Sequence, residues 1–204
     1  MHFVYFAEQK LERFYDFLVE RTEEKITKVV LKEGSGQADV KGKGTLGSIL
    51  AHLGLASLEI EANVSASGKL SFSKEVVSEF TPSQKLKALL LKLNSEGRIA
   101  DINLKTVDLL KVGSPVVFAT WIKVDTTKRS ASKIEKTGAA ILAGHANNYK
   151  LEIQASLKFM ESENAWRRLE VKRFITGFGT LIGIESEEHL VEIDPIVFAY
   201  AEPE

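Results

Sequence analysis

The chain of 204 residues contains no cysteine. Disulfides, thiolate nucleophiles, iron–sulfur clusters and cysteine-ligated zinc are therefore excluded. Long uncharged apolar runs are also missing. No window approaches the roughly 18 residues that a membrane-spanning helix requires. The opening MHFVYFAEQKLERF has no basic region ahead of an apolar stretch, so no secretory signal is expected. Net charge is almost absent, with 27 lysines and arginines against 28 acidic residues. Bulk nucleic-acid binders usually carry a basic excess, so only a local patch is compatible with this balance. A soluble, cytoplasmic protein with no membrane association is the expectation. Histidine is sparse. His2, His52, His145 and His189 include no pair at metal-ligand spacing, so no metal is expected. No G-x-S-x-G is present, and no Ser and His suggest a nucleophile elbow.

What the chain does have is 44% hydrophobic residues, enough for a core in one large or two small domains. HFVYF at 2–6 reads as a short buried strand. A helix is expected from Glu8 to Arg21, because Leu11, Phe14, Tyr15 and Leu18 fall on one helical face. KITKVVL at 25–31 suggests another strand. At Leu58 the period becomes two, and Leu58, Ile60, Ala62 and Val64 alternate with polar residues. Leu70 and Phe72 continue the alternation beyond a turn, so a hairpin is expected. The next element is a capped helix over 81–94. Thr81 suits the N-cap, Pro82 the first turn and Gln84 a capping box, with Leu86, Leu89, Leu90 and Leu93 as a buried stripe. Lys85, Lys87 and Lys92 are expected in water.

Strands are expected after Pro115, over 150–160, from Trp166 to Ile175, and in a final pair, 179–184 and 190–200. Residues 126–149 read as a loop with one short helix. Helices do not alternate regularly with strands. The expected class is α+β with a mainly antiparallel sheet, and the strand-rich C-terminal half could close into a barrel. The expected division is 1–110 and 111–204, although no linker marks it and one continuous domain fits equally.

Six of the fourteen glycines, Gly34, Gly36, Gly42, Gly44, Gly47 and Gly54, lie in one stretch. Within it Gly42-Lys43-Gly44-Thr45-Leu46-Gly47 matches G-x-G-x-x-G, the phosphate cradle of dinucleotide folds. Such a cradle should follow a buried strand directly, yet EGSGQADVK precedes it. A phosphate loop of the G-x-x-x-x-G-K-[ST] kind is also missed by one residue. A linker is the preferred reading and no cofactor is expected. Leu46, Ile49, Leu50 and Leu53 fit one or two helical turns ending at Gly54. Glu170-Val171-Lys172 carries half of a nuclease pattern but lacks its upstream aspartate. Cations interleaved with aromatics occur at Lys128, Arg129, Trp166, Arg167, Arg168, Lys172 and Arg173, a composition that suits phosphate contact and base stacking.

VYFAEQKLERFYDFL, GSGQADVKGKGTLGS, LEIEAN, TPSQKLKALLLKL and GTLIGI, in that order, resemble an uncharacterised family of prokaryotic proteins. The resemblance implies a bacterial accessory protein working with a partner, and carries no catalytic residue. The first functional expectation is a non-enzymatic protein that binds a protein partner or assembles with itself, since the apolar IVFAYA at 196–201 needs cover. The second is nucleic-acid binding through 123–136 and 166–174. The third is a nucleotide enzyme at Gly42–Gly47.

Overall fold

The computed structural model describes residues 3–14, 27–31, 45–65, 69–102, 110–146, 148–162 and 164–202. The chain divides into two compact units, Glu8–Ile99 and Met1–Ala7 with Ala100–Glu204. The first strand, β1 (Tyr5–Phe6), thus belongs with the later part of the chain.

The Glu8–Ile99 unit contains α1 (Glu8–Leu11), a 3-10 turn over Glu12–Phe14, β2 (Thr27–Leu31), α2 (Thr45–His52), β3 (Ile60–Val64), β4 (Leu70–Ser71), α3 (Lys74–Glu79) and α4 (Pro82–Ser95). The expected helix beyond Phe14 lies outside the described residues. Strands β2, β3 and β4 form an antiparallel sheet, with the expected hairpin between β3 and β4. The Thr81 cap forms as the sequence implies. Its hydroxyl accepts from the Gln84 amide at 3.3 Å, and the Gln84 carboxamide accepts from the Thr81 amide at 3.0 Å. Helix α4 is buried from Leu86 through Leu93, and this includes two residues expected in water, Lys87 and Lys92. Lys87 donates to the carbonyls of Ala56 and Leu58 at 2.8 and 2.6 Å. Lys92 donates to Leu70 at 3.2 Å and lies 3.4 Å from the Glu96 carboxylate. An ammonium can be enclosed when carbonyls and a counter-charge receive it.

The second unit continues with β5 (Ala100–Asp101), β6 (Pro115–Val124), α5 (Ala131–Thr137), β7 (Ala139–Ala146), β8 (Tyr149–Ser156), β9 (Arg173–Glu185) and β10 (Leu190–Tyr200). Five of these strands close on themselves. β6 pairs β7, β7 pairs β8, β8 pairs β10, β10 pairs β9, and β9 returns to β6. The sheet is mixed, which corrects the expectation of a mainly antiparallel one. Four seams of the ring are antiparallel, and β8–β10 is parallel. Parity requires this: strand direction cannot alternate at every seam of a ring with an odd number of strands. Counted along the chain, the ring runs first, second, third, fifth, fourth. That is the Greek-key connectivity of OB-type barrels.

Two other expectations change. Trp166 to Ile175 is not one strand. Ala165–Leu169 is a 3-10 turn, and β9 begins only at Arg173. Trp166 and Leu169, three residues apart, both face the core, which matches the period of that turn. Residues 139–146, read as part of a loop, form β7, whose inward residues Ala140, Leu142, Gly144 and Ala146 are mostly small. Strand β10 is central rather than exposed. It has β9 along its length, β8 beside Leu190–Ile193, and β1 beside Val197 and Phe198. Tyr5 stacks on Phe198 with ring centres 5.0 Å apart. Ile196 to Ala199 are therefore buried within the unit, while Tyr200 stays exposed. Pro195 is accommodated because the β9–β10 register shifts just after it.

Candidate ligand-binding face of the barrel

Alternation along β6 sends Ile122 and Val124 into the barrel and leaves Trp121 and Lys123 outside. On the neighbouring strands Trp121 is opposite Phe174 of β9, and Lys123 is opposite Ala143 of β7. The Trp121 ring meets Phe174 edge-on, with centroids 5.5 Å apart at 68°. The Lys172 ammonium lies 5.8 Å from the Trp121 ring centre, within reach of a cation–π attraction. Trp121 remains 44% exposed.

Beside it runs a groove of about 450 Å³. Its walls are Trp121 and Lys123 from β6, Ala143 and His145 from β7, the turn Asp125–Thr127, and Lys172. Gly144 also lines it, where a Cβ would come within 2.7 Å of the Trp121 carbonyl oxygen. The Thr120 hydroxyl ties β6 to β7 by donating to the His145 carbonyl at 2.5 Å.

The turn at the end of the groove is held by Asp125. Its Oδ1 accepts from the Thr127 hydroxyl at 2.5 Å, the Thr127 amide at 3.0 Å and the Lys128 amide at 3.2 Å. The Thr127 hydroxyl, first, holds the Asp125 carboxyl below the usual carboxylate value. Partial burial works against this, while the two amides and the Lys128 charge add to it. Lys128 is turned away from the groove onto Glu152. That hydrogen bond, first, raises the lysine's pKa against the opposing effect of burial.

Charge is segregated around the barrel. Lys123, Lys172 and Arg173 are exposed on the β6 and β9 side, and among the described residues none of them makes an ion pair. Glu152 and Glu192 are opposite one another on β8 and β10.

The cations singled out in the sequence divide accordingly. Lys172 lines the groove, whereas Arg173, opposite the inward Ile122, is exposed at the start of β9 and does not line it. Lys128 pairs with Glu152, Arg167 with Glu135 at 2.6 Å, and Arg168 with Glu161. Arg129 donates to the Ala139 carbonyl at 2.9 Å. Trp166 is 1% exposed in the core and has no face to offer a ligand. Gly42, Lys43 and Gly44 lie outside the described residues. Thr45 begins α2 and Gly47 is exposed within it. The strands before and after α2, β2 and β3, pair antiparallel, whereas a dinucleotide fingerprint sits in a parallel βαβ unit. Glu170-Val171-Lys172 precedes β9 in irregular chain.

The chain matches no family model, no curated protein and no solved structure. The likeness to OB-type barrels rests on connectivity alone. Fold carries no function by itself. Among the described residues no three His, Asp or Glu are grouped to hold a metal ion, and no helix is long and apolar enough to cross a membrane.

Sequence reasoning passed over Trp121, His145 and the groove. A signal for Trp121 was present: if Ile122 and Val124 point inward, Trp121 is on the wet phase with Lys123. His145 gave no such signal, because β7 was not recognised as a strand.

Proposed function

We propose that this protein is a non-enzymatic, cytoplasmic binder of single-stranded nucleic acid, using the outer face of β6, β7 and β9. The half-exposed Trp121, flanked by Phe174 and Lys172 and bordering the groove, carries the reading. An aromatic face in water stacks any base, and nearby cations meet the backbone phosphates. Lys123 and Lys172 supply those cations, and among the described residues neither is ion-paired. OB-type barrels commonly bind oligonucleotides or oligosaccharides, with the loop between the first two strands taking part. Here that loop begins at Asp125.

Only two tryptophans are present, and Trp166 is buried, so quenching of exposed tryptophan reports on Trp121. Titration with short single-stranded DNA or RNA at low salt should quench it. Trp121→Ala should abolish the quench and weaken binding measured with a labelled strand. No change with any single strand at low salt would refute the proposal.

The second reading is a protein partner or another copy of the chain on the same face. Val171, 57% exposed beside Lys172, favours it. A salt-insensitive dimer that Trp121→Ala disrupts would support this reading over the first.

A further inference from the structure

We infer that Asp125 makes the groove selective for bases bearing an exocyclic amine, cytosine above thymine, an inference that rests on the nucleic-acid reading of the same face. All three hydrogen bonds to the Asp125 side chain fall on Oδ1. The carboxylate is thereby fixed at the groove, with Oδ2 as the oxygen available to a ligand. The backbone is fixed as well: the Asp125 amide donates to Ile141 at 2.9 Å, and its carbonyl accepts from the Arg129 amide at 3.2 Å. Trp121 and Asp125 line the same groove. Four residues of extended chain separate them, about 13 Å, so a base next to the one stacked on the indole meets a positioned, acceptor-only group.

Such a group discriminates by hydrogen-bond polarity. Cytosine offers its N4 amine, a match for an aspartate acceptor. Thymine has a carbonyl oxygen at the equivalent position, and two acceptors would face each other. Single strands expose these edges fully, so selection of this kind is open to a single-strand binder. The carboxylate also repels phosphate, so it lowers affinity for every strand while sorting among them.

The test compares oligo(dC) with oligo(dT) of equal length, by labelled-strand anisotropy at neutral pH and fixed low salt. The unaltered protein should prefer oligo(dC) about five- to tenfold, the discrimination expected of one base-edge contact. Asp125→Asn keeps an Oδ1 acceptor for the turn and replaces the second oxygen with an N–H donor. This variant should bind both strands more tightly, and its preference should vanish or reverse. Its melting temperature shows whether the turn survives, and the ratio in the unaltered protein decides the matter even if it does not. Equal affinity for both strands, or a preference for oligo(dT), in the unaltered protein overturns the selectivity while leaving the nucleic-acid reading intact. Binding of neither strand overturns both.

Discussion

Trp121 and Gly177 lie on the paired strands β6 and β9 with opposite roles: one faces the solvent, the other lets the barrel close. Trp121→Ala removes a stacking surface that is half in water, so it should weaken single-strand binding by about 1–3 kcal/mol while leaving the thermal unfolding midpoint nearly unchanged. Gly177→Ala should do the reverse. A Cβ there would stand 2.5 Å from the Phe118 ring and 2.6 Å from the Val197 carbonyl oxygen. Neither neighbour is free to move, since Phe118 is fully buried and the carbonyl belongs to β10. Overpacking of this kind costs roughly 1–3 kcal/mol, seen as a lower urea midpoint with an unchanged slope.

At the scale of elements, helix α4 holds its N-terminus with a reciprocal pair of hydrogen bonds between Thr81 and Gln84. Thr81→Ala should destabilise the Glu8–Ile99 unit by about 1 kcal/mol, measured by chemical denaturation followed by circular dichroism. This cap was legible because its chemistry is local: four consecutive residues contain everything it needs. The β3–β4 hairpin was legible for the same reason, through alternation across a turn, and the strand after Pro115 and β10 through their apolar runs, but β9 was read only from residue 179. β7 was not. Its inward residues include two alanines and a glycine, and small side chains give weak contrast between faces. The enclosed Lys87 and Lys92 were also hidden, because their acceptors, Ala56, Leu58 and Leu70, come from segments remote in sequence. The groove combines both difficulties. It needs three strands brought side by side, one of them unrecognised, and the cations that looked most promising in the sequence turn out to be paired with Glu135, Glu152 and Glu161.

For the molecule as a whole, two charges on the barrel unit set opposite limbs of its pH response. The Asp125 carboxyl titrates below the ordinary carboxylate value in the folded chain. Its contribution is present above the unfolded value and is lost as pH falls through the folded one, so Asp125→Asn should flatten the acid limb below about pH 4. The Lys128 ammonium titrates above the ordinary lysine value. Its contribution is complete below the unfolded value and disappears as pH rises through the folded one. Lys128→Met should accordingly lower the midpoint slightly through the neutral region and so flatten the alkaline limb, as scans of unfolding midpoint against pH would show. Binding should also fall with salt. Two phosphate contacts through Lys123 and Lys172 correspond to a slope of about −1.4 in log affinity against log salt for a single strand.

The parallel seam between β8 and β10 has a consequence for synthesis. Ribosomes deliver β8 well before β10, and nothing else in the described chain pairs with that edge. Until Leu190–Ile193 emerge, the nascent barrel is an open ribbon with bare margins on β8 and β9, each able to recruit a neighbouring polypeptide. Tyr5 and Phe6, made before the other described strands of the barrel unit, wait longer still for the same strand. A cell producing this protein would therefore rely on the interval between those two events being short, or on a chaperone to shield it.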